Sequence, residues 1–532
     1  MTMTNPRRPP LLLLAAAVIA VLVMAVPLLY LLVRVLGAGD SAWAALLRSR
    51  TLETIGTSVL LVALVAVGVL VLAVPTAWVL SRTDLPLRRM LIVLAALPLA
   101  VPSYVAAYAW ISIFPAMSGM LAAAFVMSLA TFPYVSIPLI AALRSLDAGQ
   151  EEAARSLGLG RTAVLRRVVG PMMWPVAGAG LLLAALYTLA EFGTVSIFRV
   201  DAFTRVIYAS YRASFDRTAA AVLAVLLVLL ALVLVVLEAR LRGRASRWRT
   251  GSGAPRPAPV IALGRRGRVA GLAWLALVVG LSLLFPVASI VGQLVSSRQR
   301  EFDVAALAGA LAGSVSASTL GAAAALLLAI PVGVLAARYT GRLVRSLEAG
   351  AFASHGLPGV VVGLALVFLT LAVLPAAYQT LATLAFAYAV LFAPKAIGAT
   401  RSAVAAVPPD LESVARSLGR GPVSAWWATT GRLAWPGIAA GGLLVLLTAM
   451  KELPATLMLR PTGFETLATR LWSRTDVGAF GEAAPYALAL IVLAAVPAWL
   501  MSRWLGGRPG GTTAVTDPEW QGAAMREPVG TR

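Results

Sequence analysis

The sequence predicts an all-α polytopic membrane protein with about 12 transmembrane helices, arranged as two parallel six-helix repeats. Two observations indicate this class. First, 60% of the 532 residues are hydrophobic and only 12% are charged, which is too little charge to cover a soluble protein of this length. Second, apolar runs of about 20 residues recur along the chain, and each is long enough to cross a hydrocarbon core ~30 Å thick.

The apolar runs alternate with loops of unequal charge. Arginines concentrate in the loops after the second and sixth runs, whereas the hairpins at 114–118 and 374–376 carry no charge. Because cytoplasmic loops collect positive charge, this alternation predicts that both termini are cytoplasmic. It also accounts for the net charge of +22 without a nucleic-acid partner. The predicted spans are 11–36, 55–80, 90–113, 119–143, 171–194, 218–240, 267–292, 311–337, 350–373, 377–399, 434–456 and 484–505.

A polar loop between two spans is written twice. Glu151–Gly158 reads EEAARSLG, and Glu412–Gly419, 261 positions later, reads ESVARSLG. Upstream, Pro75–Arg82 matches Pro331–Arg338 at an offset of 256. Each half contains six spans, an even number, so both halves enter the membrane in the same direction.

The repeat divides the chain into four parts. The segment between the halves is rich in Arg, Gly, Ser and Pro, which is typical of a linker. The predicted parts are a first half over 1–245 with its polar loop at 144–170, a cytoplasmic linker over 246–267, a second half over 268–510 with its polar loop at 401–432, and a flexible C-terminal tail over 511–532.

Each repeated loop is predicted to form two short helices joined by a glycine turn. Glu151 and Glu152 suit the positive N-terminal end of the first helix. Gly158 breaks that helix, and Gly419 has the same place in the second copy. Both copies fall on the predicted cytoplasmic side, so we expect a pair of docking sites for soluble partners.

The first copy resembles the EAA loop of permease subunits in binding-protein-dependent ABC importers of the type I fold. The family pattern is Glu-Ala-Ala, three residues, Gly, and Glu152, Ala153, Ala154 and Gly158 fit it fully. The resemblance implies the type I permease fold for the whole chain. It also implies that the first helix of the loop seats in a cleft of a cytoplasmic ATPase subunit.

The second copy departs from the pattern. Ser413 and Val414 replace Glu and Ala, while Ala415 and Gly419 are kept. Glu412, one position earlier, can supply the carboxylate instead. The resemblance thus assigns ATPase coupling to Glu151, Glu152, Ala153, Ala154, Gly158, Glu412, Ala415 and Gly419.

The resemblance also implies partners and a location. We expect two copies of a cytoplasmic ABC ATPase, which uses ATP and Mg, a periplasmic or extracellular substrate-binding protein, and a multi-pass chain in the cell inner membrane. The chain itself is predicted to bind no cofactor and to be no enzyme. Its only lysines, Lys395 and Lys451, are not preceded by the Gly of a phosphate-binding loop. With no cysteine and one histidine, we expect no resident metal.

Glu191 and Glu452 occupy equivalent places about 20 residues into the fifth and eleventh spans. At 1.5 Å per residue, they would lie roughly 30 Å from the cytoplasmic side, near the external mouth. Ionisable residues at such depth are costly unless they face a cavity or a partner. Either the pair lines the substrate path, or each is a helix-end residue paired with Lys451 or a nearby arginine.

The substrate is indicated by resemblance alone. Three stretches are similar to those of ferric-iron ABC permeases that have two fused halves, namely Ala190–Val195, Met450–Pro461 and Gly463–Arg470. Permeases for thiamine, polyamines and phosphonates share part of the pattern and remain alternatives. A secondary transporter, the alternative from another class, would need ionisable residues near the midplane, and the spans are nearly bare of them.

Overall fold

The computed structural model describes residues 9–213, 218–245, 260–296 and 303–506. The predicted C-terminal tail and residues 246–259 of the predicted linker lie outside this part of the chain. The helices of the first half are α1 (Leu11–Gly37), α2 (Asp40–Leu46), α3 (Ser49–Arg82), α4 (Arg88–Ala96), α5 (Ser103–Ile113), α6 (Gly119–Thr131), α7 (Pro133–Arg144), α8 (Ala148–Ser156), α9 (Arg161–Val164), α10 (Gly170–Ala190), α11 (Gly193–Ile197), α12 (Phe203–Ala213) and α13 (Thr218–Ala245).

The second half follows a similar but not identical order. Its helices are α14 (Arg265–Val279), α15 (Phe285–Ser296), α16 (Val304–Arg338), α17 (Arg342–Phe352), α18 (Gly359–Val373), α19 (Leu381–Ala405), α20 (Asp410–Ser417), α21 (Pro422–Trp426), α22 (Arg432–Ala449), α23 (Pro454–Leu459), α24 (Leu467–Asp476) and α25 (Phe480–Gly506). Short π-helical turns at 165–169 and 427–431 lead from each polar loop into α10 and α22.

The all-α membrane fold is confirmed. Among the described residues, nine helical runs are long and apolar enough to cross a membrane, and α4 with α5 makes a tenth that is bent by 88°. Two shorter apolar stretches, α18 and residues 480–493 of α25, fall at the ninth and twelfth predicted spans. Every predicted span therefore has a helical counterpart.

Several predicted spans are not continuous helices, and in the fifth and the eleventh the break contains Glu191 and Glu452. The third, 90–113, breaks between α4 and α5, and the ninth, 350–373, breaks between α17 and α18. Each of these two breaks precedes a proline, Pro102 or Pro358. Val101 and Leu357 take extended backbone angles there, because a following proline disfavours the helical conformation and itself offers no N–H.

The two halves exchange their first spans. Helix α1 packs on α16, α17 and α18 of the second half, while α14 packs on α3 and α4 of the first half and α15 packs on α5. Glycines allow the closest contacts inside each half. A Cβ at Gly333 would lie 2.7 Å from the Cβ of Thr400, so α16 and α19 can only approach this closely without one.

Candidate functional site

The repeated polar loops fold as predicted, into two short helices with a glycine turn. Helix α8 begins after Asp147, whose carboxylate accepts a hydrogen bond from the backbone N–H of Gly149 at 3.1 Å. Gly158 ends it with a φ of +85°, and Gly419 ends α20 with a φ of +84°. No atom lies within 4 Å of a Cβ at either glycine. The left-handed backbone alone therefore requires glycine here.

Helix α8 is fixed to the membrane domain by a buried ion pair. The Arg82 guanidinium, at the end of α3, lies 2.6 Å from the Glu151 carboxylate, and the two side chains are only 3% and 8% exposed. Arg155, one turn along α8, approaches the other carboxylate oxygen at 3.4 Å. The carboxylate that fixes the loop is thus Glu151, and the neighbouring Glu152 is exposed.

The second loop is fixed by the equivalent arginine and glutamate, and this arginine makes more hydrogen bonds than its counterpart in the first loop. The Arg338 guanidinium lies 3.1 Å from the Glu412 carboxylate, and these side chains are 12% and 28% exposed. Arg338 also donates to the backbone oxygen of Val407 at 2.9 Å and to the hydroxyl of Thr430 at 3.0 Å. Thr430 in turn donates to Glu412. Glu412 therefore takes the structural place of Glu151.

The outward face of each loop carries a leucine that the sequence analysis missed. Leu157 is 83% exposed and Leu418 is 78% exposed, each directly before the turn glycine. Ala154 and Ala415 are buried beneath them, whereas Ala153 is exposed beside Glu152. In the second loop Val414 and Val423 are exposed as well, and exposed apolar side chains that lie close together suit contact with a partner protein.

The end of the linker lies against the same part of the first half. The backbone N–H of Ile261 donates to the backbone oxygen of Arg82 at 2.8 Å, and that of Leu263 donates to the Asp84 carboxylate at 2.8 Å. Arg268 also bonds Asp84. The hydrogen bond from Arg268, with that from Leu263, lowers the pKa of Asp84 below its usual value. The start of the second half is thus tied to the arginine that fixes the first loop.

Glu191 lies at a helix break inside the first half. It follows the last residue of α10, and its carboxylate accepts hydrogen bonds from the Ser103 hydroxyl at 2.6 Å and the Thr194 N–H at 2.9 Å. The Ser103 hydroxyl also lies 2.8 Å from that of Tyr187. Ser103 is the first residue of α5, whose 11 residues cover about 16 Å and end before the predicted uncharged hairpin at 114–118.

Glu452 lies at the matching break in the second half, with fewer partners. Its carboxylate accepts a hydrogen bond from the Ala455 N–H at 3.0 Å. Gly359 stands where the first half has Ser103, and a Cβ there would overlap this carboxylate. Glu452 is close enough to Glu191 and Lys395 to interact with both electrostatically. The two halves thus bring one carboxylate each to a common polar cluster.

The two lysines of the chain also belong to this cluster. Lys395 donates to the hydroxyl of Thr448 at 3.0 Å. Lys451 reaches across to the first half and donates to the backbone oxygen of Ala100 at 2.7 Å, at the break before α5. Lys451 therefore bonds a carbonyl group and not the neighbouring glutamate, which removes the simplest form of the helix-end ion-pair interpretation.

Comparison with known families reproduces the duplication. The family model described as "binding-protein-dependent transport system inner membrane component" matches residues 70–247 and again 329–505. The chain belongs to this family. Both matches contain one fixed polar loop and one glutamate at a helix break. The chain is therefore a membrane component of a transport system and not an enzyme.

The relatives differ in the share of their length that aligns with this chain. The Fe(3+)-transport system permease protein FbpB 2 of Haemophilus influenzae is 30% identical over 502 residues, which cover 94% of this chain and 99% of the relative. The molybdenum transport system permease protein ModB of Mycobacterium tuberculosis is 31% identical over 28% of this chain and 60% of its own length. The sulfate transport system permease protein CysT of Salmonella typhimurium is 33% identical over 22% and 48%.

Proposed function

We propose that this permease imports ferric iron, delivered by an external binding protein, into the cytoplasm at the expense of ATP hydrolysed by a partner ATPase. The choice of ferric iron as the substrate rests on the end-to-end similarity to a Fe(3+)-transport permease, which spans both halves. The molybdenum and sulfate permeases match over at most 60% of their own length. They share the transport class with this chain over one part of it only.

Energy coupling is assigned to the two polar loops. Each projects a short helix that a buried or half-buried Arg–Glu pair fixes to the end of a long spanning helix. We infer that each loop receives one ATPase subunit, so that two subunits, with ATP and Mg, act on one chain. Closure of the ATPases would move α8 and α20 together, and the ion pairs would transmit this motion to α3 and α16.

The substrate path is assigned to the cluster at the helix breaks. Glu191 and Glu452 come from different halves and are the carboxylates of this cluster. Ionisable groups at this depth are retained where they face a pathway or each other. The described residues contain no group of three or more His, Cys, Asp or Glu that could hold a metal ion tightly, so selection is assigned to the external binding protein.

Orientation follows from the same contacts. The described end of the linker bonds Arg82 and Asp84, at the base of the first coupling loop. Linker and coupling loop therefore share one side of the membrane. With the arginine distribution, this supports an inner-membrane chain whose termini, linker and coupling loops are all cytoplasmic.

Reconstitution in liposomes tests the proposal. The permease, its ATPase and its binding protein are assembled, and uptake of radioactive iron is measured with ATP, with ATP and vanadate, and with a proton gradient alone. We expect iron uptake with ATP that vanadate abolishes. Uptake of molybdate, sulfate, thiamine, a polyamine or a phosphonate in place of iron would overturn the substrate. Uptake driven by the proton gradient without ATPase would overturn the transport class.

A further inference from the structure

The cluster at the helix breaks contains a phenol that the rest of the protein leaves unsatisfied. Tyr104, the second residue of α5, is 5% exposed, and its hydroxyl has no hydrogen-bond partner among the described residues. Leaving a buried hydroxyl unpaired costs about 1–3 kcal/mol. A Cβ on Gly193 would lie 2.4 Å from the Cβ of Tyr104 and 3.4 Å from the Glu191 carboxylate, so this tyrosine and this glutamate are neighbours. Lys451, directly before Glu452, bonds the backbone oxygen of Ala100, four residues before Tyr104. An unpaired donor–acceptor group beside two carboxylates points to a ligand that completes the arrangement.

The surrounding backbone is shaped around these side chains. A Cβ at Gly193, the first residue of α11, would overlap the Cβ of Tyr104. A Cβ at Gly359, the first residue of α18, would overlap the carboxylate of Glu452. Both glycines have negative φ, so space and not backbone conformation is what requires glycine at these two positions.

We propose that Tyr104, Glu191 and Glu452 form a transit site for the ferric ion on its way through the permease. This inference rests on the proposed function and adds to it a third donor and a defined location. Carboxylate and phenol oxygens are hard donors, which suit a small, highly charged cation. Three such donors are fewer than a closed coordination shell offers, so the ion is held briefly and water or delivered ligands complete its shell.

The charge of the cluster also favours brief occupancy. Lys395 lies close enough to Glu452 to interact with it electrostatically, and Lys451 lies in the same relation to Lys395. Two lysine side chains therefore stand beside the two glutamate side chains of this cluster. A trivalent ion finds oxygen donors there, but the net negative charge of the cluster is too small to bind it tightly. The ion can therefore leave towards the cytoplasm.

The site is divided between the moving parts. Tyr104 and Glu191 belong to the first half, and Glu452 belongs to the second. A rocking motion of the halves changes the distance between the two carboxylates and so changes the number of donors that reach the ion. Release is thereby coupled to the conformational change without any further residue.

The variant Tyr104→Phe tests the site, because it removes only the unpaired hydroxyl. If Tyr104 has a purely structural role, this variant unfolds at the same or a higher temperature and transports normally. If it is a ligand, affinity for the ion falls roughly 10–100-fold and ATP-driven iron uptake falls with it, while ATPase binding is unchanged and the unfolding temperature is not lowered. Tyr108→Phe is the matched control. Its hydroxyl donates to the backbone oxygen of Phe480 at 2.6 Å, so we expect lower stability and normal uptake per assembled complex.

Two readouts separate this inference from the proposed function. The first is uptake of radioactive iron by the wild-type complex, and the second is equilibrium dialysis of ferric citrate against the purified complex without binding protein. Iron uptake by wild type together with unchanged uptake and binding in Tyr104→Phe would overturn the transit site and leave the proposed function standing. Absence of iron uptake in the wild type would overturn the proposed substrate, and the transit site with it.

Discussion

Replacing Glu151 by glutamine tests how the first coupling loop is fixed. The substitution keeps the shape of the side chain and removes its charge. Arg82 is then left buried, 3% exposed, and Glu151 is its only hydrogen-bonding partner among the described side chains. The loop should lose its attachment to α3, whereas its helix and glycine turn remain intact.

The expected loss of stability follows from how deeply the ion pair is buried. Removing one partner of a buried ion pair costs about 3–5 kcal/mol, because the remaining charge is uncompensated. The matching change Glu412→Gln should cost less, about 1–3 kcal/mol. That pair is more exposed, and Arg338 keeps its bonds to Val407 and Thr430. The two loops are thus equivalent in sequence position but unequal in how much depends on a single carboxylate.

The assay compares the two variants and a double-mutant cycle. Thermal unfolding of the purified permease gives the stability, and reconstituted uptake per ATP hydrolysed gives the coupling. We expect Glu151→Gln to lower both more than Glu412→Gln, and Arg82→Met combined with Glu151→Met to recover part of the stability lost in either single change. A coupling energy near zero in that cycle, or a larger effect at Glu412, would refute the reasoning.

Three further predictions follow from the same geometry. Gly158→Ala places a Cβ in a left-handed backbone, which costs about 1–2 kcal/mol of stability, and uptake should fall more than in Gly419→Ala. Equal losses in an uptake assay would contradict the conclusion that the two loops contribute unequally. Asp84 has a pKa lowered by the arginine that bonds it, so it adds stability above its unfolded pKa of about 3.9, and this stability is lost as pH falls through the folded pKa. Asp84→Asn should therefore lower the unfolding temperature at neutral pH and match wild type in acid, and a difference independent of pH would disprove this. Changing Glu191 and Glu452 together to Gln should abolish uptake while vanadate-sensitive ATP hydrolysis continues; unchanged uptake would remove both from the path.

Local patterns predicted the parts of the fold that depend on nearby residues. Apolar run lengths located the helices, and the turn glycines Gly158 and Gly419 located the ends of α8 and α20. The match of Glu412 to Glu151 also indicated the right carboxylate in the second loop. These features are set by hydrophobicity and backbone conformation within a few residues, which a sequence displays directly.

Features that join distant segments were missed. Arg82 and Glu151 are 69 positions apart, and the repeated Pro75–Arg82 segment contained the arginine without indicating its partner. Ser103 bonds Glu191, 88 positions away, because the chain breaks before Pro102; the proline marks the break in the sequence but does not indicate the partner. The exchange of first spans between the halves leaves no local pattern, because an apolar helix can pack on the apolar helices of either half.

The stoichiometry of the assembled complex tests the central claim most directly, namely that the duplicated loops are two docking sites on one chain. Native mass spectrometry of the permease purified with its ATPase should give two ATPase subunits per permease chain. The variant Leu157→Arg, which alters the exposed tip of the first loop only, should give one. A wild-type complex with a single ATPase subunit, or with none, would contradict the account.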